Sequence, residues 1–360
     1  MYRRCMALFM RVSAVMLAVL FLTSCGAGSN TETAEDPDRP MEIGFTFDSL
    51  VIERWERDRD VFVSTARELG IDVNVQNANG DVDQQISQIE YFIDKHVQAI
   101  VIVAVDCNAL APVIAKAHRA GVRVISYDRL ISNANTDLFI SFDNYKVGEL
   151  MAQSMEPSLH EGDSILMVNG PLTDTNVPTV MEGFRAHIDR TPVKIAQIGY
   201  CAGWRPEYAF DQVSGYLSEH PEEPPVAIMC GNDSLAGQAV KALSERKLAG
   251  DVIVTGQDAD LDACQRIVEG TQYMTVYKPV EKLAQRAAEL AADLVRQGRL
   301  DTSETINDGT YEVPCEKLEP VCVTAENMDE IIIGTFHQRS EVYLNVDDKR
   351  PESDTQAVTE

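Results

Sequence analysis

No apolar run in the 360-residue sequence reaches the ~20 residues that a membrane-spanning helix needs. Basic charge is scarce: 31 Lys and Arg stand against 57 Asp and Glu, a formal net charge of −26. A surface so acidic cannot neutralise a phosphate backbone, which excludes nucleic acid as a partner and disfavours anionic membrane surfaces. No Gly-rich phosphate loop, no Gly-x-Ser-x-Gly and no His-Glu-x-x-His is present, and the chemistries those motifs serve are absent with them. None of the eight cysteines forms a Cys-x-x-Cys pair, and no His stands at zinc-ligand spacing from any of them, so no metal site and no cofactor is expected. Only two tryptophans occur. What remains is 45% apolar and 24% charged, the composition of a globular chain long enough for two domains.

The amino terminus reads as targeting. Arg3, Arg4 and Arg11 precede an apolar stretch over 12–22, of signal-peptide length. Leu22-Thr23-Ser24-Cys25 is similar to the bacterial lipobox, in which the Cys is acylated and becomes the first residue; the plainer reading is an ordinary cleaved signal. Residues 1–24 are thus expected to be signal, and Cys25 begins a lipidated, flexible tether over 25–40. Contact with the membrane is then through the lipid alone, on the periplasmic or extracellular side. Residues 341–360 close the chain, and from Asp347 on they are polar, acidic and of disordered type. Cys315 and Cys322 flank Pro320 in an exported chain, so a local disulfide and two free thiols are both open readings; Cys107 and Cys230 end apolar runs and read as small buried residues.

Short apolar runs alternate with amphipathic, helix-length segments. Strand-like runs fall at 43–47, 73–76, 100–105, 124–127 and 138–141, with helical spacing over 53–69, 83–95 and 110–119 between them. A second set has strands at 165–169, 195–200, 226–229 and 252–255, and helices over 146–155, 180–188, 207–219, 235–246 and 262–269. Strand–helix alternation with nearly unbroken apolar strands means parallel sheets covered on both faces. Two sets mean an α/β fold of two doubly wound, Rossmann-like lobes.

Ligands of open α/β sheets bind beyond the carboxyl ends of the strands. The residues at those points share a character. They are Arg54 and Trp55, Asp128 and Arg129, Asp174 and Asn176, Trp204, Asn232, Asp258, and Lys278. A sugar presents adjacent hydroxyls, each donor and acceptor, around a ring with apolar C–H faces. Planar Asp, Asn and Arg side chains bond neighbouring hydroxyls in pairs, and Trp covers a ring face with large rigid area. Each residue also has a plainer reading. Trp55 shares a stripe with Phe62 and Ala66, Asp128 or Asp258 would serve as helix caps, and Arg129 or Lys278 as surface charges. It is their coincidence at seven strand ends that points to a sugar site.

Several segments carry a closer likeness: 53–60 (Glu-Arg-Trp-Glu-Arg-Asp-Arg-Asp), Asn77-Ala78-Asn79-Gly80, Tyr127-Asp128-Arg129, 140–144 with 146–149, 256–260 (Gly-Gln-Asp-Ala-Asp), and 275–279. Over 41 to about 340 the sequence resembles the D-xylose-binding proteins of sugar ABC transporters, within the type I, ribose-binding-like solute-binding family. The resemblance implies the type I periplasmic binding protein fold and reversible, non-catalytic binding between two lobes that close about a hinge. The sugar contacts of the family match the ten residues named above. It implies three chain crossings, near Asp143-Asn144, near Lys278 and near Tyr311. The first lobe then spans 41–143 plus about 279–311, and the second 144–278 plus about 312–340. Thr175 departs from the family, which often has a second Asn there.

Other classes fit less well. Asp174, Asp258 and Asp260 are candidate acid–base groups for a sugar enzyme, yet none of the six His falls in the strand-end set. A transcription regulator on this fold needs a basic DNA-binding head, and here the head is an export signal. Asp258, Asp260, Asp262 and Glu269 match calcium-loop positions, but Ala263 stands where that loop requires Gly. The expected protein is a monomeric monosaccharide-binding lipoprotein that serves an ABC permease. The alternative is a sugar sensor that presents its ligand to a receptor kinase or chemoreceptor.

Overall fold

The computed structural model describes residues 41–300 and 302–346. The signal, Cys25, the tether and the residues from 347 onward lie outside the described residues.

Two sheets form two lobes. The first has seven strands in the order β11-β12-β5-β4-β3-β1-β2. Here β1 is Met41–Phe47, β2 Ile71–Asn77, β3 Ala99–Ile102, β4 Arg123–Tyr127 and β5 Leu138–Phe142, while β11 is Glu304–Asn307 and β12 Glu312–Leu318. Helices α1 (Arg54–Glu68), α2 (Val82–Asp94) and α3 (Ala111–Arg119) connect the first four strands. The second sheet runs β13-β10-β9-β8-β6-β7. Its strands are β6 (Ser164–Asn169), β7 (Lys194–Tyr200), β8 (Ala227–Cys230), β9 (Ile253–Gln257), β10 (Met274–Tyr277) and β13 (Val321–Thr324). Helices α4 (Asn144–Met155), α5 (Asn176–Ile188), α6 (Glu207–Glu219), α7 (Asp233–Ser244) and α8 (Leu261–Glu269) belong with it. Pairing is parallel except for β11 on β12 and β13 on β10.

Burial follows the sequence pattern. Every residue of β3, β5 and β8 is buried, because helices cover both faces of a parallel sheet. Strand β7, at a sheet edge, alternates exposed with half-buried residues. Helices α4 and α5 pack backbone to backbone. A Cβ on Gly148 would lie 2.0 Å from the Val180 carbonyl oxygen, and one on Gly183 would lie 2.0 Å from that of Tyr145, so no larger residue fits at this contact.

Four features go beyond or against the sequence reading. The 18-residue helix α9 (Val280–Gln297) buries Leu283, Ala284, Ala287 and Ala291 and holds the start of α1 through Arg57–Glu281. Strands β11 to β13 had no counterpart in the hydropathy pattern. The third crossing is not near Tyr311: Glu312–Leu318 pairs with β5 in the first sheet, and the chain passes to the second at Glu319-Pro320. Cys315 and Cys322 therefore stand in strands of different sheets, and both are free thiols. The short helices α10 (Met328–Ile331) and α11 (Arg339–Val342) follow β13, and Gln265 of α8 bonds the carbonyl of Glu341.

Candidate functional site: a polar cavity between the lobes

All ten strand-end residues line one cavity between the lobes. Nine of them are buried and Asn176 is half-buried. The first lobe supplies Arg54 and Trp55, on the first turn of α1, and Asp128 and Arg129 beyond β4. The second supplies Asp174 from the β6–α5 loop, Asn176 from the start of α5, Trp204 beyond β7, Asn232 beyond β8, Asp258 beyond β9, and Lys278 beyond β10.

Local backbone geometry aims several of these side chains. Asp128, Trp204 and Asp258 have φ of +65°, +58° and +100°, a region that non-glycine residues enter at a cost of ~1–3 kcal/mol. Neither aspartate caps a helix: α8 starts at Leu261 with Asp260 at its N-cap. Two of the cavity residues also have a structural role. Asn232 caps α7 through its side-chain oxygen, which accepts from Leu235 N–H at 2.9 Å, and the residue also lines the cavity. Trp55 belongs to the core, 6.3 Å from the Phe47 ring, and also forms a cavity wall.

The charges form one network. Arg54 donates Nε and Nη2 to the two oxygens of Asp58 (3.1 and 3.0 Å) and Nη1 to Asp128 (2.9 Å), with Asp258 at 4.0 Å. Arg129 donates Nη1 to Asp48 (2.8 Å) and to the Ala104 carbonyl (2.7 Å), and its Nε lies 2.7 Å from Asp174. Lys278 is 2.7 Å from Asp258. Trp204 Nε1 donates to Asp174 at 3.1 Å, and Asn176 Nδ2 to Asp128 Oδ1 at 3.0 Å. The guanidinium of Arg54 lies 4.5 Å from the centre of the Trp55 ring and that of Arg129 5.7 Å. Three of these contacts cross the cleft (Arg54–Asp258, Arg129–Asp174 and Asn176–Asp128), so the lobes are closed on each other.

Burial works against every one of these ions. For Asp128 it would raise the carboxyl pKa, but Arg54, Lys278 and Arg129 together outweigh it and hold the group below its usual value. For Asp48, Asp58 and Asp174 burial prevails over the neighbouring guanidinium groups, and their pKa values rise.

The sequence pattern of the periplasmic binding protein domain matches residues 43–299. The chain is 39% identical over 310 residues to a D-xylose-binding periplasmic protein of Haemophilus influenzae, covering 85% of this chain and 93% of that one. It is 38% identical to the D-xylose-binding periplasmic protein of Escherichia coli, covering 90% and 98%. The chain belongs to the periplasmic binding protein family. A solved member, an ABC transporter solute-binding protein of Clostridium phytofermentans with bound β-D-glucose, superposes with a TM-score of 0.76 at 25% identity over 84% of this chain and 99% of that one. The family binds and delivers its ligands and does not transform them.

Three further residues line the cavity: Ile52, Asn144 and Gln257. The last two lie inside segments that carried the family likeness, and Gln257 directly precedes Asp258. Its Nε2 donates to the Gly231 carbonyl, and its Oε1 is buried without a partner. Asp48 and Asp58 hold the two guanidinium groups in place. Asp58 stands four residues after Arg54, the helical spacing that pairs such charges, which is a signal readable from sequence. The calcium pattern finds no support in geometry: Leu261–Glu269 is helix, and no group of three or more metal-ligating side chains occurs among the described residues.

Proposed function

We propose that the protein is the solute-binding component of a sugar ABC transporter, capturing a monosaccharide, D-xylose, between its lobes and delivering it to the permease. One observation carries the reading: planar polar groups and two indole rings from both lobes line a single cavity. The charges favour a neutral ligand. Arg54, Arg129 and Lys278 are each already paired with a carboxylate, so an anionic ligand would have to displace one, whereas a hydroxyl can donate to the carboxylate and accept from the cation at once. The two relatives named for D-xylose support the choice of sugar. In this reading Cys25 carries the lipid that keeps a monomeric binding protein at the membrane, within reach of its permease.

Calorimetric titration with D-xylose, L-arabinose, D-ribose, D-glucose and D-galactose tests it. Binding of D-xylose ahead of the others supports the proposal; preference for a hexose moves the sugar assignment, and binding of none overturns the sugar reading.

A further inference from the structure

One loop of the second lobe touches the first lobe outside the cavity as well as within it. Between Asp174 and Asn176, which line the cavity, Thr175 faces away from it. Thr175 is the N-cap residue of α5, where a Thr hydroxyl ordinarily accepts from a backbone N–H of the first turn. It makes no such bond. Its Oγ1 donates instead to the Leu130 carbonyl of the first lobe at 2.9 Å and lies 3.7 Å from Cys107 Sγ. Two residues earlier, the Thr173 carbonyl accepts from Cys107 N–H at 2.9 Å. The receiving surface is a single ledge, because Ser132 N–H of the loop after β4 donates to the Cys107 carbonyl at 2.9 Å. None of these partners lines the cavity.

We infer that Thr175 is a positioning residue, a cross-cleft latch that favours the closed conformation irrespective of which sugar is bound. The inference rests on the two-lobe binding reading above. These bonds span elements of opposite lobes and so exist only when the cleft is shut. With the lobes apart, the Thr175 hydroxyl and the Leu130 carbonyl return to water. A bond made only in the closed state adds to affinity through the closing equilibrium and slows release, while leaving encounter with the open form unchanged.

The test is Thr175→Val, which replaces the hydroxyl with a methyl of nearly the same shape. Affinity for every sugar that binds should fall by the same factor, roughly 2- to 13-fold for one neutral hydrogen bond, with the change in koff and the ranking of sugars intact. The melting temperature of the sugar-free protein should hold, since no cap is lost. Unchanged affinities overturn the latch. A loss confined to one sugar overturns it in favour of a ligand contact, and a matching drop in sugar-free stability overturns it in favour of a helix cap. A second variant works without sugar: Thr175→Cys places a thiol beside that of Cys107, and two-electron oxidation by oxidised glutathione should join the lobes and hold the radius of gyration at its compact value. Failure of that pair to oxidise also overturns the latch, even in a protein that binds no sugar tested. Binding of no sugar by the wild type together with successful cross-linking would overturn the ligand reading and leave the latch standing.

Discussion

Replacing Arg129 by Met keeps the aliphatic stem and removes the charge, and the structure divides the consequences between the two lobes. Within its own lobe Arg129 holds Asp48 and the Ala104 carbonyl through Nη1; across the cleft its Nε meets Asp174. Among the described residues its Nη2 donates to no group, which leaves it for a ligand oxygen. A hydrogen bond from a charged donor contributes about 1.5–3 kcal/mol, so losing it alone weakens binding by roughly 10- to 150-fold. The Asp174 contact adds to that loss, because removal of Arg129 leaves a buried carboxylate facing the closed cleft with only Trp204 Nε1 and the Asn176 N–H for support. The sugar-free, open protein loses less. If opening the cleft solvates Asp48, its ion pair is worth under about 1 kcal/mol, or a few degrees of melting temperature for a lobe of this size. Titration calorimetry with D-xylose and thermal denaturation without sugar separate the two effects, with Arg129→Lys, which retains charge but not the fork, expected to fall between. An affinity within threefold of wild type in Arg129→Met would refute the site assignment.

Other substitutions probe different parts of the same geometry. Asp258→Asn keeps a residue that tolerates positive φ; affinity should drop at least tenfold while sugar-free melting stays within about 2 °C, and a large stability loss with affinity intact would make Asp258 a structural residue. A Cβ on Gly170 would sit 2.3 Å from the Trp204 ring, so Gly170→Ala should shift the fluorescence of one of the two tryptophans and weaken sugar binding without touching the ligand; an unmoved spectrum with native affinity would show that the ring has room. Burial raises the Asp233 carboxyl to about 7, against bonds from Thr275 and Gln272 that favour its charged form. Its folded pKa lies above the unfolded one, so its contribution to stability is complete in acid and is lost as pH rises through about 7. Melting of Asp233→Asn relative to wild type should therefore improve steadily from pH 4 to 7.5, and a constant difference would contradict the assignment. Cys315 and Cys322 should both react with a maleimide after unfolding without reductant, whereas protection of both would indicate a disulfide in place of the two free thiols.

The parts of the molecule that were legible in sequence are those where one local rule suffices. Apolar runs such as Ala99–Ile102 and the spacing of Phe62 and Ala66 follow from burial alone, and the end of each strand then locates its ligand-facing residue. The carboxyl-terminal quarter resists because its rules conflict. Strand β12 carries Pro314 yet lies between β11 and β5 in the sheet, and Pro inside a strand argues against an interior position. The crossing at Glu319-Pro320 was hidden for the same reason, and with it the separation of two cysteines that stand seven residues apart in sequence. Ile52 and Asn144 also line the cavity; the first is apolar, and the second opens α4 two residues beyond β5.

The two lobes solve the same problem with the same corner. At the end of β4, Asp128 turns into positive φ and donates its N–H to the Ile140 carbonyl of β5 at 2.8 Å; at the end of β9, Asp258 does so toward the Val276 carbonyl of β10 at 2.9 Å. Each corner costs backbone energy that a glycine would avoid, and each places a carboxylate at the mouth of its own sheet. Arg54 stands between the two, 2.9 Å from the first and 4.0 Å from the second. The nearer pair is made within one lobe and persists when the cleft opens. The farther one forms only on closure and is too long for a hydrogen bond, so the charge of Arg54 is not saturated from the second lobe. A ligand hydroxyl that accepts from Arg54 and donates to Asp258 would complete that contact. This asymmetry makes closure depend on the ligand at the centre of the site, while the loop around Thr175 favours it from the rim.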